Sequence, residues 1–465
     1  MAAENSIFGT EKAKAFLDAS KRVVMVGIGG VGMYSIAALL KKAGKNVVGQ
    51  DTLDSPFTRS LAEMGIPILY HNEAFPLATN DLVIYTLAVS PTHPTLLLAQ
   101  AMGLPAISRA DALACLMEGE NPKIAVAGMH GKSTTTALLS HLLQSAGHSP
   151  TTVVGAMMAK HSSPFYIGQK GFLFEACEYM RSFLSFSPDL ALILNMEWEH
   201  VDCYPTFASV KDAFSLFAGQ SKQLVLCYDD PHLRALSCGK PTLFYSLLDT
   251  GADLYAKEIT SSEGVFGFTL YRSGSPLGEA RFPLLGTMNL SNAIGAAAAA
   301  LTLGVSPESI CQSLSSAQGV KRRLEHRGFL GKCPLFDDYA HHPTEITASL
   351  STLREHTKGK LYLVFQPHTY TRTKALFSAL AEALALADKV ILFPIYPARE
   401  TDDLGMSSQL LAQAMKDKAI HFEQFPEIAE YLEAHLKEED TAVIMGAGDI
   451  DRLFAFLPLK NAKNK

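Results

Sequence analysis

The chain reads as an α/β protein built from three consecutive domains, and three observations predict it. Short β-rich runs alternate with helical stretches along most of the chain. Two glycine turns, at 27–32 and 128–131, each stand between an apolar run and a helical pattern. At 465 residues, and about 150 residues per domain, there is room for three.

The first block, from 21 to about 108, offers "RVVMVGI", "KNVVGQD", "IPILY", "DLVIYTL" and "LPAIS" as strands of a parallel sheet. The second opens on "KIAVAG" and the helical run "KSTTTALLSHLLQSAG". It continues through "LALILNM", "QLVLCY" and an alanine-rich helix near 293–303. The third follows "GVKRRLEHRG" with "LFDDY", "KLYLVFQP", "KVILFPIY" and "TAVIMGAG". Repeats, low-complexity tracts and long linkers are not seen. The expected domains are 1–110, 111–323 and 324–465.

Hydrophobic residues make up 48% and charged residues 18%, which supplies several cores and argues against disorder. A net charge of −6 argues against a nucleic-acid or anionic-membrane binder. The longest near-apolar stretch, Ala293 to Val305, falls short of the roughly 18 residues a membrane span needs. The N-terminal "MAAENSIFGTEKAKAF" lacks a basic segment leading into an apolar core, so no secretory signal is expected. Seven scattered cysteines without a CxxC pair suit reduced thiols in the cytoplasm.

The opening turn, "RVVMVGIGGVGMYSIAALLKKAGKNVVGQD", fits a dinucleotide fingerprint with glycines at 27, 29 and 32. Such loops recognise phosphate rather than nicotinamide, so an NAD-dependent dehydrogenase stays only as an alternative. A catalytically idle nucleotide binder is another. The second turn, "AVAGMHGKSTTTALLSHLL", outweighs the first. Its glycines free backbone N–H groups to face a phosphate chain at a helix N-terminus. Lys132 can reach the β- and γ-phosphates, and Ser133 can place its hydroxyl on Mg²⁺. Val126 stands where the standard template has glycine, leaving the shorter G-x-x-G-K-S.

Further chemistry gathers at strand ends. "FEACEYMRSFL" supplies Glu175 and Glu178, and "ILNMEWEHVD" supplies Glu197, Glu199, His200 and Asp202, carboxylates and an imidazole placed to hold Mg²⁺ beside phosphate. Trp198 is expected to pack. In the third block Arg323, Asp338, His341, His342, His368 and Arg372 crowd strand ends. His-His-Pro is also a metal-site pattern. Pro343 fixes its backbone and no third close ligand follows, so a ligand cleft is the reading.

In order along Lys21 to Leu453, the motifs "GIGGVGM", "AGMHGKSTTT", "EACEY", "LNMEWEH", "NLSNA", "GVKRRLE", "DDYAHHPTE", "FQPHTYTRT" and "MGAGDI" resemble those of the Mur ligase family. The resemblance implies a Rossmann-like N-terminal domain for a UDP-sugar, a central P-loop-type ATPase and a C-terminal Rossmann-like domain for an amino acid. "DDYAHHPTE" with "FQPHTYTRT" points to the alanine-adding type. That implies ATP-dependent joining of L-alanine to the lactyl carboxylate of UDP-N-acetylmuramate through an acyl phosphate, with Mg²⁺, in cytoplasmic peptidoglycan precursor synthesis. A recycling ligase that attaches a tripeptide to the same nucleotide sugar is the alternative.

By the same resemblance, Gly29 and Gly30 cradle the UDP pyrophosphate, and Asp51, His71 and Thr86 lie towards the uridine. Gly128, His130, Gly131, Lys132, Ser133 and Thr134 take the ATP phosphates, while Ser133, Glu175 and His200 hold Mg²⁺. Whether Glu175 or Glu178 touches the metal stays open. Asn289 and Asn292 match adenine contacts, and Arg323 and Asp338 match residues that close on ATP. Tyr339, His341 and Arg372 match the amino-acid pocket, and Lys132, His200, Arg323 and His341 are the catalytic candidates. Four positions depart from the family's pattern: Ser133 for threonine, Met288 for histidine, Thr369 for arginine, and Cys177 for an acid. Oligomeric state is not legible.

Overall fold

The computed structural model describes residues 9–200, 203–236, 238–262, 264–398 and 400–460. Among them, three sheets follow one another along the chain. The first holds five parallel strands: β1 (Arg22–Val26), β2 (Val47–Asp51), β3 (Ile68–Tyr70), β4 (Asp81–Tyr85) and β5 (Ala106–Ser108), in the order β3-β2-β1-β4-β5. Val23, Val24 and Met25 are all 0% exposed, because a parallel sheet is covered on both faces. This is why β1 reads as an unbroken apolar run from Val23 to Val26. The chain reverses its winding between β1 and β4, the place where ligands bind such sheets.

The second sheet has ten strands: β6 (Lys123–Ala127), β7 (Thr151–Met158), β8 (Ser163–Tyr166), β9 (Phe172–Glu175), β10 (Leu190–Ile193), β11 (Gln223–Cys227), β12 (Thr242–Ser246), β13 (Leu254–Ser262), β14 (Val265–Arg272) and β15 (Ser275–Phe282). Their order is β15-β14-β13-β12-β11-β10-β6-β9-β7-β8. The apolar strands β6, β10 and β11 are the ones sequence reading finds. The outer strands escape it because much of their length faces water: in β13, only Leu254, Tyr255 and Ala256 are buried. The third sheet runs β16 (Glu325–Leu330), β17 (Cys333–Asp338), β18 (Leu361–Phe365), β19 (Lys389–Leu392), β20 (Ala419–His421) and β21 (Thr441–Met445), ordered β16-β17-β21-β18-β19-β20. Only β16 is antiparallel to its neighbour.

Two compact units contain these sheets. One comprises Met1–Ser261, Phe266–Pro283 and Ser291–Gly319; the other comprises Ser262–Val265, Leu284–Leu290 and Val320–Lys465. The first two sheets therefore share a unit. In the first unit, the alanine-rich part of helix Thr287–Thr302 is fully buried. In the second, Leu361, Leu363 and Phe365 of β18 face one core while Tyr362 and Val364 face another, the period-2 signature of a sheet covered on both sides. Among the described residues, no helix is long and apolar enough to cross a membrane. Cys115, Cys227, Cys311 and Cys333 are buried thiols.

Candidate active site

β6 ends at Ala127 and delivers the chain into the turn Gly128–Gly131, which opens helix Lys132–Ser145. Gly131 has φ 84°, and a Cβ there would stand 2.5 Å from Asn292 Oδ1. Only glycine satisfies both demands. Asn195 locks the turn: its Oδ1 accepts from His130 N (2.9 Å) and its Nδ2 donates to His130 O (3.0 Å). The opening helical amides, Lys132 to Thr134, face an anion-binding position.

Lys132 curls back over the turn. Its Nζ donates to Gly128 O (2.7 Å) and Met129 O (2.9 Å), and lies 2.9 Å from Glu178 Oε2. The other oxygen of Glu178 accepts from His200 Nε2 at 3.0 Å, and Tyr204 donates its hydroxyl to the Glu178 carbonyl at 2.7 Å. Burial would raise the Glu178 pKa, but Lys132 and His200 outweigh it and bring it down to about 2. Burial would equally neutralise Lys132, but Glu178 keeps it well above the ordinary lysine range. The pair is ionised. An acceptor-only carboxylate also dictates that His200 carries its proton on Nε2.

Glu175, at the end of β9, is engaged differently. Its Oε2 accepts from Ser133 Oγ (2.8 Å) and from Gly155 N (2.7 Å). The expected metal set of Ser133, Glu175 and His200 is therefore divided: Ser133 meets Glu175, whereas His200 meets Glu178. The reason is charge, since Glu178 alone lies against the lysine. His200 has φ 53°, a sparsely populated conformation for a non-glycine residue and one found at functional sites. Trp198 does not pack inside; it is 52% exposed, its Nε1 donating to Tyr204 O at 3.0 Å. Asp202 lies outside the described residues.

In the first sheet, Gly29 N donates to Asp51 Oδ2 (2.8 Å) and Gly30 N to Gly27 O (3.4 Å). Both amides expected on the pyrophosphate are engaged, one by the end of β2 and one within the turn. Gln50 was not legible as a site residue. It is 1% exposed, donates to His71 O (3.1 Å) and Glu73 O (2.6 Å), and accepts from Thr95 Oγ1 (2.7 Å), fixing His71 beside β2. A cavity of about 290 Å³ joins this turn to the second sheet, lined among others by Gly30, Gly32, Thr86, Arg109, Glu175 and Cys177. Arg109, the first residue of its helix, stands in no motif of the sequence.

The other unit gathers three separated motifs. Arg323 Nη1 donates to Glu345 Oε1 (3.3 Å), and its guanidinium lies 5.5 Å from the Tyr339 ring centre. Asp338, 2% exposed, accepts from Ala340 N (2.9 Å) and Ser349 Oγ (2.7 Å). Burial raises its pKa against the pull of Arg323. His341 Nδ1 donates to Tyr339 O at 3.0 Å, and its ring lies 5.9 Å from that of His368. Arg372 Nη1 donates to His368 Nδ1 at 3.1 Å, and Tyr396 stacks on His368. Burial, then His341 and Arg372, push His368 down to about 3, so it stays neutral. Tyr339, His341, His368 and Arg372 thus form one cluster. His342 instead caps helix Pro343–His356, accepting from Thr344 N. Asn292 lies on the glycine turn, whereas Asn289 donates to Leu285 O (2.7 Å) one turn back.

Three family models match the chain: "Mur ligase family, catalytic domain" over residues 22–121, "Mur ligase middle domain" over 126–300 and "Mur ligase, glutamate ligase domain" over 322–448. The UDP-N-acetylmuramate--L-alanine ligase of Caldicellulosiruptor bescii is 38% identical over 436 residues, 92% of this chain and 96% of that one. The ligase of the same description from Agathobacter rectalis is 35% identical over 446 residues, 93% and 97% of the two chains. The crystal structure of a UDP-N-acetylmuramate-alanine ligase from Thermotoga maritima matches with a TM-score of 0.80 at 25% identity, covering 94% of this chain and 98% of that one.

Proposed function

The chain belongs to the Mur ligase family, and from that premise we propose that it joins L-alanine to UDP-N-acetylmuramate with cleavage of ATP, in peptidoglycan synthesis. The observation that carries the reading is the Lys132–Glu178–His200 group, centred on the buried Glu178, set against a glycine turn whose following helix brings Ser133 to Glu175 at the end of β9. A carboxylate does not accept an amine directly, because its leaving group would be oxide. In the proposed reaction a carboxylate oxygen attacks the γ-phosphorus, ADP leaves, and the acyl phosphate then has phosphate as its leaving group. The amine attacks the acyl carbon, loses a proton, and phosphate departs.

The chain's own groups serve the first step. The glycine turn and the opening amides of helix Lys132–Ser145 bind the phosphates. Lys132 is kept charged by Glu178 and sets a fixed positive charge beside the migrating phosphoryl group. His200 and Tyr204 hold Glu178 in place. Ser133 Oγ and the Glu175 carboxylate, 2.8 Å apart, are hard oxygen donors suited to Mg²⁺, which when bound neutralises charge on the phosphates.

We assign UDP-N-acetylmuramate to residues 1–110, ATP to 111–323 and alanine to 324–465, in the cytoplasm. Tyr339, His341 and Arg372 are the alanine residues in this assignment. With Thr369 in place of an arginine, His368 supports Arg372 as the carboxylate ligand. The test is phosphate release by purified protein given ATP, Mg²⁺ and UDP-N-acetylmuramate, with alanine or with the tripeptide. Release that depends on alanine is expected; release with the tripeptide alone overturns the assignment.

A further inference from the structure

Gly32 and Arg109 come from different elements and meet at one end of the cavity that joins the opening turn to Glu175. Gly32 is the second residue of helix Val31–Lys42, and Arg109 is the first of helix Arg109–Leu116. A Cβ on Gly32 would stand 2.9 Å from Arg109 Nη1, so glycine is what leaves room for the guanidinium. The opening amides of the Val31 helix lack intrahelical acceptors, and the helix dipole is positive at that end. A fixed cation is thus laid against a position that already favours an anion.

Arg109 is half-buried, and among the described residues no ion pair or hydrogen bond engages its guanidinium. Desolvated charge costs free energy until a counter-charge arrives. Cys177 lines the same cavity and supplies none: burial and Glu178 push its thiol up to about 12, so it is neutral. Glu175 is held by Ser133 and Gly155. The turn's own amides are also committed, Gly29 to Asp51 and Gly30 to Gly27. A diphosphate bound here needs another donor.

We propose that Arg109 is a binding residue for the diphosphate of the nucleotide sugar, its guanidinium acting together with the opening amides of helix Val31–Lys42. The proposal rests on UDP-N-acetylmuramate being the substrate. Arginine suits the task, because its planar fork pairs two phosphate oxygens at once.

The test is calorimetric binding of UDP, UDP-N-acetylmuramate and a non-hydrolysable ATP analogue to wild type, Arg109→Met and Arg109→Lys. Loss of a charge-assisted contact predicts that Arg109→Met weakens UDP and UDP-N-acetylmuramate alike, by about 10- to 100-fold. Arg109→Lys, which keeps the charge without the fork, is expected to lie between. Retained affinity for the ATP analogue shows that each variant is folded, and the lysine variant carries the test if the methionine variant is not. Unchanged UDP affinity overturns the proposal, as does weakening of UDP-N-acetylmuramate with UDP spared, which would put the charge at the sugar's carboxylate. Wild type that binds neither ligand would instead refute the substrate assignment itself.

Discussion

Lys132 Nζ and Glu178 Oε2 lie 2.9 Å apart with the carboxylate side chain 1% exposed, so the lysine on the nucleotide turn is one half of a buried ion pair. Removing either half strands the other charge away from water. Lys132→Met is expected to destabilise the fold by about 3–5 kcal/mol. It should also lower turnover by about 100- to 1,000-fold. Pairing it with Glu178→Gln should recover part of the stability but none of the turnover. Urea unfolding and phosphate release measure the two separately, and full additivity of the stability losses would refute the coupling.

The same pair sets an acid limit. Glu178 is depressed from 4.5 to about 2, so its contribution to stability is complete above pH 4.5 and is lost as pH falls towards 2. Unfolding midpoints followed down that range should fall less steeply in Glu178→Gln than in wild type. Equal slopes would mean that the carboxylate titrates normally.

His368 works over a higher window. It remains neutral to about pH 3 when folded, whereas an unfolded histidine protonates near 6.5. The unfolded chain therefore binds the extra proton between those values. Stability should drop as pH falls below 6.5, by at most about 1.4 kcal/mol per unit. His368→Gln should flatten that part of the profile. The substitution should also raise the KM for alanine, because Arg372 loses its acceptor.

Ser133 and Glu175 are tested by the metal they are proposed to hold. Ser133→Thr keeps the hydroxyl and should keep most activity. Ser133→Ala and Glu175→Gln should each shift the Mg²⁺ dependence of phosphate release to higher concentration, by about 10-fold or more. An unmoved Mg²⁺ profile in both would exclude these two residues as ligands.

Gly131→Ala forces a left-handed backbone on a side chain and drives its Cβ to 2.5 Å from Asn292 Oδ1. The strain alone is about 1–2 kcal/mol. The turn should open, and affinity for an ATP analogue should fall. Trp198 is the chain's one tryptophan and sits on the loop that bears His200, so its fluorescence can report the binding. Wild-type affinity in the variant would show that the turn's geometry is dispensable.

Much of the fold is legible because parallel strands covered on both faces must be apolar where they are buried, as β10 and β18 are throughout and β1 and β6 are after their first residue. The two glycine turns are legible because a phosphate cradle needs glycine at set spacings. Strands such as β13 are not, since the exposed half carries no hydrophobic pattern. Gln50 is not legible for a related reason: its partners His71 and Thr95 lie 21 and 45 positions away, and it stands in no spacing that signals chemistry.

The sequence alone determined the α/β class and the lysine-bearing phosphate turn, because composition, periodicity and local motifs are properties of neighbouring residues; ligase activity entered through the resemblance to a family. Which carboxylate meets which cation was decided only by the tertiary structure. Glu175 and Glu178 are three positions apart and chemically alike, yet one faces Ser133 and the other Lys132 and His200. Pairing depends on where strands from separate parts of the chain end, and on which buried charge must be neutralised. Spacing along the chain encodes neither.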